Sequence, residues 1–167
     1  PHRHSSPLST GVVPPTGATP ATTLKRATDV GPTLQCPVVQ RPPDAHDAAF
    51  AAVSHLPHLI AFALMNGITG QAHGKEFLSL AGPGFRDFTR IAASDPVMWR
   101  DVFLNNREAV LEILGRFTED LVELQRSIRW GEGEALEALF TRTRAIRRSI
   151  IDEGQDTDSA DFGRPHD

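Results

Sequence analysis

Between Pro96 and Trp130 the apolar residues Phe103, Val110, Leu114, Phe117, Leu121, Leu124 and Ile128 recur at alternating spacings near about 3.5 residues. Such a period lays one apolar seam along a single helix. Ser94-Asp95-Pro96 supplies capping side chains followed by proline at the first helical position, and Gly131 and Gly133 end the run. At 1.5 Å per residue this helix would span roughly 50 Å, about three times the usual length. One small bundle cannot cover so long a seam. The expected solution is a homodimer in which a second copy buries it.

The other elements follow the same logic. Asp44 is a fair N-cap for a helix from Ala45 to Met65, with Pro57 removing one backbone donor and bending it. Asn66, Gly67 and Gly70 break the chain. A short helix is expected at Lys75 to Leu80, a turn at Ala81-Gly82-Pro83-Gly84 and a helix from Phe85 to Ala93. A final helix after Gly133 carries Leu136, Leu139, Phe140, Thr143, Ile146 and Ile150 on one face. Five helices and no convincing strand define an all-α helical bundle with one long helix.

The first 43 residues are of another kind. They hold nine of the 13 prolines, no aromatic residue and one acidic residue, Asp29. A segment so poor in apolar surface cannot offset its ordering entropy and is expected to be disordered, with Val38-Val39 as a doubtful extended piece. Its richness in Pro, Thr, Arg and Ala suits a frame-shifted stretch of GC-rich coding DNA or a genuine leader on a stand-alone module. The expected organisation is therefore 1–43 as a Pro/Thr-rich leader, 44–153 as the helical domain and 154–167 as a flexible tail.

Charge and composition exclude several classes. A net charge of -4 and a pI near 6.0 lack the basic face that nucleic acid requires. Cys36 is the single cysteine, so an internal disulfide is impossible. Leu59 to Met65 falls far short of the roughly 20 apolar residues of a membrane span, and no apolar run follows a basic start as in a secretory signal. The expected compartment is the cytoplasm, with neither membrane nor nucleic acid as a partner.

Three stretches, in order, carry a family resemblance: Ala51-Ala52-Val53-Ser54-His55-Leu56-Pro57-His58, then Gly84-Phe85-Arg86-Asp87-Phe88-Thr89-Arg90-Ile91-Ala92, then Ser94-Asp95-Pro96-Val97-Met98-Trp99-Arg100-Asp101. Asn105-Asn106-Arg107 continues the match. Together they resemble the C-terminal helical domain of prephenate dehydrogenases. The resemblance implies a helical domain that dimerises and closes a substrate cleft, beside a Rossmann domain that binds NAD or NADP. It implies oxidative decarboxylation of prephenate to 4-hydroxyphenylpyruvate, in tyrosine biosynthesis, with arogenate as the alternative substrate and tyrosine as a possible inhibitor.

Prephenate carries two carboxylates, and arginine grips a carboxylate with two parallel hydrogen bonds. The resemblance assigns this to Arg90; the alternative is a surface arginine paired with Asp87, three residues earlier. His55 and His58 share a helix face without a carboxylate at ligand spacing, so a metal is not expected. The family pattern turns His58 toward the cleft; the alternative is a satisfied interior histidine. Ser94 either caps a helix or lies beside an anionic ligand. Trp99 walls the cleft or packs the core. Asp87 is expected to orient Arg90 or a nearby histidine, and Arg100 with Asp101 to form a solvated or interdomain pair.

No Gly-x-Gly-x-x-Gly follows a strand, and the family's catalytic histidine belongs to the other domain. No catalytic residue is therefore expected in this chain, and the chain alone is expected to be inactive. The alternative function is a non-catalytic helical dimer that binds tyrosine or a related aromatic acid.

Overall fold

The computed structural model describes residues 11–33 and 38–152. The expected tail at 154–167 and Cys36 lie outside the described residues. The chain divides into two compact units, one holding described residues 11–33, 38–49 and 121–152, the other 50–120.

The first unit contains strand β1 (Gly11–Val13), helix α1 (Ala21–Thr33) and strand β2 (Val38–Gln40). The two strands pair in parallel, with Val12 opposite Val39. Regular elements thus occupy part of the segment expected to lack them. Leu24, Ala27, Thr28 and Gly31 lie on the less exposed side of α1 at helical spacing, while Lys25 and Asp29 form an exposed ion pair of 2.8 Å.

Helix α2 (Pro43–Phe50) continues through a π-helical turn (Ala51–His55) into α3 (Leu56–Thr69). Asp44 therefore falls in the first turn of α2 and is not its cap. Pro57 has no N–H to give to the carbonyl one turn back. The backbone widens just before it, and the Leu56 N–H reaches the carbonyl of Ala51 instead. Ala51 is fully buried at this widening. The continuous helix Pro43–Thr69 is 27 residues long, with a mean hydropathy of 1.6 in its most apolar window. By length and composition it could cross a membrane, contrary to the shorter apolar run expected. The difference arises because no Asp, Glu, Lys or Arg occurs from Ala48 to Gly74.

Around α3 the second unit places α4 (Gly74–Ser79), α5 (Pro83–Thr89) and a 3-10 turn (Arg90–Ala93), each packed on it. Next come α6 (Pro96–Asn105) and α7 (Arg107–Trp130), the latter running on into the first unit. The single long helix expected from Pro96 to Trp130 is therefore two. The break is Asn106, at φ -103° and ψ 33°, whose side-chain amide lies 3.2 Å from Nδ1 of His55. The break thus coincides with a long-range contact to the π-helical turn.

Gly131, at φ 66°, closes α7 in the left-handed conformation that glycine tolerates best, and α8 (Gly133–Asp152) follows. The described residues bury few apolar side chains: Ala51, Leu56, Ala61, Trp99 and Val110. Leu111, Leu121, Ile128, Phe140 and Ile146 on α7 and α8 stay exposed. The fold is all-α in class, with one minimal strand pair. Of the expected seam, Val110 is buried while Leu121 and Ile128 stay exposed within one chain.

Candidate functional site

The π-helical turn and Pro57 set the pitch at which His55 and His58 leave the helix, and both rings meet Trp99 of α6. His58 stacks on the indole with centroids 3.7 Å apart and planes inclined by 23°. His55 meets the same indole edge-on at 6.1 Å, and Phe103 tilts against it at 5.4 Å. Trp99 is 7% exposed, so this is an aromatic core contact. Both alternatives for Trp99 thus bear on one residue: it packs, and it carries a polar atom. Its Nε1 is buried and has no hydrogen-bond partner among the described residues. Buried indole N–H groups ordinarily find an acceptor.

The hydrogen bonds fix the proton positions on the two histidines. Nδ1 of His58 lies 2.9 Å from the carbonyl oxygen of Ser54, which can only accept. In the neutral ring the hydrogen is therefore on Nδ1, and Nε2 is an acceptor. His55 is the reverse, since the Asn106 amide nitrogen donates to its Nδ1. Two histidines three positions apart thus offer opposite tautomers. The sequence reading missed Asn106 as a site residue; its only signal was its place in the Asn105-Asn106-Arg107 stretch.

Arg90 opens the 3-10 turn, and with Phe62, Met65, Arg86 and Thr89 it lines an open depression of about 400 Å³. Phe62 lies one turn beyond His58 on α3, which relates the arginine depression to the histidine cluster along one helix. Arg86 was not singled out by the sequence reading, although it stands four residues before Arg90. Two guanidinium groups one helical turn apart could serve a ligand with two negative charges.

Two expectations are corrected here. Asp87 forms no ion pair with Arg90 among the described residues, although the two stand three positions apart at the junction of α5 and the 3-10 turn. Ser94 does not cap α6. Asp95 does, accepting from the Met98 N–H at 2.7 Å, while the Ser94 hydroxyl donates to the Ile91 carbonyl at 2.7 Å. Proline at the first helical position leaves the residue just before it, Asp95, as the cap. Arg100 and Asp101 form an exposed pair at 2.8 Å.

Among the described residues, the turn after β1 does not form a pyrophosphate cradle. β1 runs into Pro14-Pro15-Thr16-Gly17, and two consecutive prolines have no N–H to point at a pyrophosphate. Among the described residues no cluster of three or more His, Cys, Asp or Glu is gathered at metal-binding range.

This helical fold, with the end of its long apolar seam left exposed at Leu121 and Ile128, is that of a dimerisation domain. The prephenate dehydrogenase dimerization domain matches residues 42–142, and the chain belongs to that family. Prephenate dehydrogenase of Bacillus subtilis (strain 168) is 38% identical over 107 residues, covering 61% of this chain and 27% of that enzyme. Cyclohexadienyl dehydrogenase of Zymomonas mobilis is 35% identical over 107 residues, covering 63% and 36%. The prephenate dehydrogenase of A. aeolicus, solved in complex with hydroxyphenyl propionate and NAD+, superposes with a TM-score of 0.77 at 36% identity, over 83% of this chain and 49% of that one. Synechocystis arogenate dehydrogenase superposes at 0.73 and 28% identity, over 83% and 51%. The chain thus spans about half the length of these solved relatives and less of the curated ones.

Proposed function

We propose that residues 44–153 form the substrate-binding and dimerisation domain of a prephenate dehydrogenase-type oxidoreductase. The substrate class is a cyclohexadienyl dicarboxylate such as prephenate, with arogenate as the close alternative. The observation that carries the reading is the unmet Trp99 N–H beside His58, whose Nε2 is left as an acceptor. A ligand with an aromatic-sized ring, a hydroxyl and carboxylates could satisfy both. Arg90, with Arg86 beside it, would grip a carboxylate; His58 would bind a ligand hydroxyl; Trp99 would wall the ring. Ser94 would border the site through its position before α6, and Asp87 would act by charge rather than by direct pairing.

The family's dehydrogenases use a nicotinamide cofactor, NAD+ in the A. aeolicus structure, and here the cofactor would be held outside the described residues. Hydride transfer is accordingly assigned to a complete enzyme and no catalytic residue to this chain, whose own contribution is to bind and orient substrate. Its setting would be the cytoplasm, as a homodimer. The apolar helix Pro43–Thr69 lies within the dimerisation match, so we read it as a core helix and not as a membrane span.

Tryptophan fluorescence tests this directly. In a Trp130→Phe background, hydroxyphenyl propionate is expected to quench Trp99, and Arg90→Ala to weaken binding about tenfold, as loss of a charged hydrogen bond would. A folded dimer that fails to bind would sink the proposal. The second reading, a non-catalytic dimer binding tyrosine or a related aromatic acid, draws on the two prolines after β1. Tyrosine binding with no response to prephenate would favour it.

A further inference from the structure

Two asparagines stand side by side at the end of α6, and their side chains do different things. Asn105 donates to the Asp101 carbonyl at 2.7 Å, a local bond on an exposed face. Asn106 reaches 51 positions back, and its amide nitrogen lies 3.2 Å from Nδ1 of part-buried His55. An amide nitrogen only donates, so Nδ1 is the acceptor and the neutral ring carries its proton on Nε2. His58 is fixed the other way by the Ser54 carbonyl, 2.9 Å from its own Nδ1. That second bond lies within four residues of continuous helix; the first exists only where the α6–α7 junction meets the π-helical turn.

Both rings meet one indole. His58 stacks on Trp99, and His55 meets it edge-on at 6.1 Å with the planes inclined by 79°. Edge-on contacts at this range depend on how the ring is turned. The third neighbour, Phe103, is apolar and constrains the indole by packing alone. The direction of the buried, unmet Trp99 N–H therefore follows the setting of His55, and a directional bond from Asn106 fixes that setting.

We propose that Asn106 is a positioning residue of the ligand site. Through His55 it sets which imidazole nitrogen carries the proton and the angle at which that ring holds the Trp99 indole. Its role toward ligand rests on the substrate-binding reading of Trp99 and His58; its effect on the His55 proton does not. A purely structural role competes, because Asn106 immediately precedes α7, where asparagine and aspartate are both favoured. The two roles part at aspartate. Aspartate occupies the same space and suits the same helix start, but a carboxylate only accepts, so His55 must then present a proton on Nδ1.

The test uses the full chain, labelled with 15N, in the Trp130→Phe background. Long-range 15N–1H spectra of the histidine rings report which nitrogen is protonated, and His55→Gln identifies the His55 signals. In the parent, the proton is expected on Nε2 of His55 and on Nδ1 of His58. In Asn106→Asp it should move to Nδ1 of His55, and hydroxyphenyl propionate should bind about tenfold more weakly although helicity is kept, as for loss of one directional bond. Asn106→Ala should leave His55 with mixed tautomers and a similar loss of affinity; if it fails to fold, Asn106→Asp decides alone. Asn105→Ala should change neither reading. A parent His55 protonated on Nδ1 would overturn the proposal. So would an Asn106→Asp chain whose His55 proton stays on Nε2, or one that binds hydroxyphenyl propionate as the parent does. A parent that binds no hydroxyphenyl propionate would instead sink the substrate-binding reading and the positioning role with it, and the parent titration alone identifies that case.

Discussion

The imidazole of His58 lies flat on the indole of Trp99, with ring centroids 3.7 Å apart, and the indole N–H beside it has no acceptor among the described residues. One residue therefore combines a stabilising contact with an unmet polar group. Leaving such a donor buried costs about 1–3 kcal/mol. Tryptophan at this position is thus not the residue that packing alone would favour.

Trp99→Phe separates these two parts. The ring stack survives in reduced form, while the orphan N–H is removed. Trp99→Ala should lower stability by about 3–5 kcal/mol, as for other large aromatic truncations. Trp99→Phe should cost much less, yet weaken hydroxyphenyl propionate binding as clearly as it spares the fold. Urea melts and a ligand titration on both variants read the difference. Equal binding by Trp99→Phe and the unaltered chain would remove the N–H from the site.

The bond between Asn106 and His55 joins the break after α6 to the π-helical turn. Asn106→Ala should lower stability by about 1–2 kcal/mol through loss of this part-buried bond. It should also favour continuation of α6 into α7, since alanine prefers the helix that Asn106 interrupts. A urea melt measures the first effect, and amide protection across 104–108 the second. A variant as stable as the parent, with the same protection, would show that the break is set elsewhere.

Much of this architecture was legible in the sequence, and the misses have physical causes. Apolar spacing located α3, α7 and α8, and Ser94-Asp95-Pro96 marked the start of α6. Asn106 was invisible because it falls within an unbroken apolar period, and its partner is 51 positions away. The cap fell on Asp95 instead of Ser94 because two capping residue types stood side by side. Arg90 and Asp87 had pairing separation, but separation permits an exposed ion pair without requiring one. β1 and β2 were too short to show a period, and nearby prolines argued against them. The arginine and histidine candidates came from the family resemblance; spacing alone left each with an equally good structural explanation.

Gly67 and Gly74, in the α3–α4 region, should respond oppositely to alanine. A Cβ on Gly74 would collide with the backbone carbonyl of Ile68, whereas one on Gly67 would meet nothing within 4 Å. Gly67→Ala should stabilise by about 0.5–1 kcal/mol, the usual helix-interior gain. Gly74→Ala should destabilise by about 1–3 kcal/mol, because the clash is with backbone and not with a flexible side chain. Paired thermal melts decide this; a stabilised Gly74→Ala would show that α4 moves away from α3 easily.

The last prediction concerns the exposed end of the seam. Ile128 is 67% exposed and Leu121 47% exposed within one chain, both on the second half of α7. If these side chains were truly solvated, replacing either with glutamate would change little, as for most surface substitutions. In a homodimer the same change places an unpaired charge in an apolar contact, where it is strongly unfavourable. Ile128→Glu should therefore shift the chain from dimer to monomer without loss of helicity in α3, while Glu123→Gln, at a charged position of the same helix, should leave association intact. Sedimentation velocity over a concentration series reads the two species. A dimer of unchanged affinity in Ile128→Glu would place the interface on another face, and a chain that is monomeric before any substitution would leave the seam without the partner that its length demands.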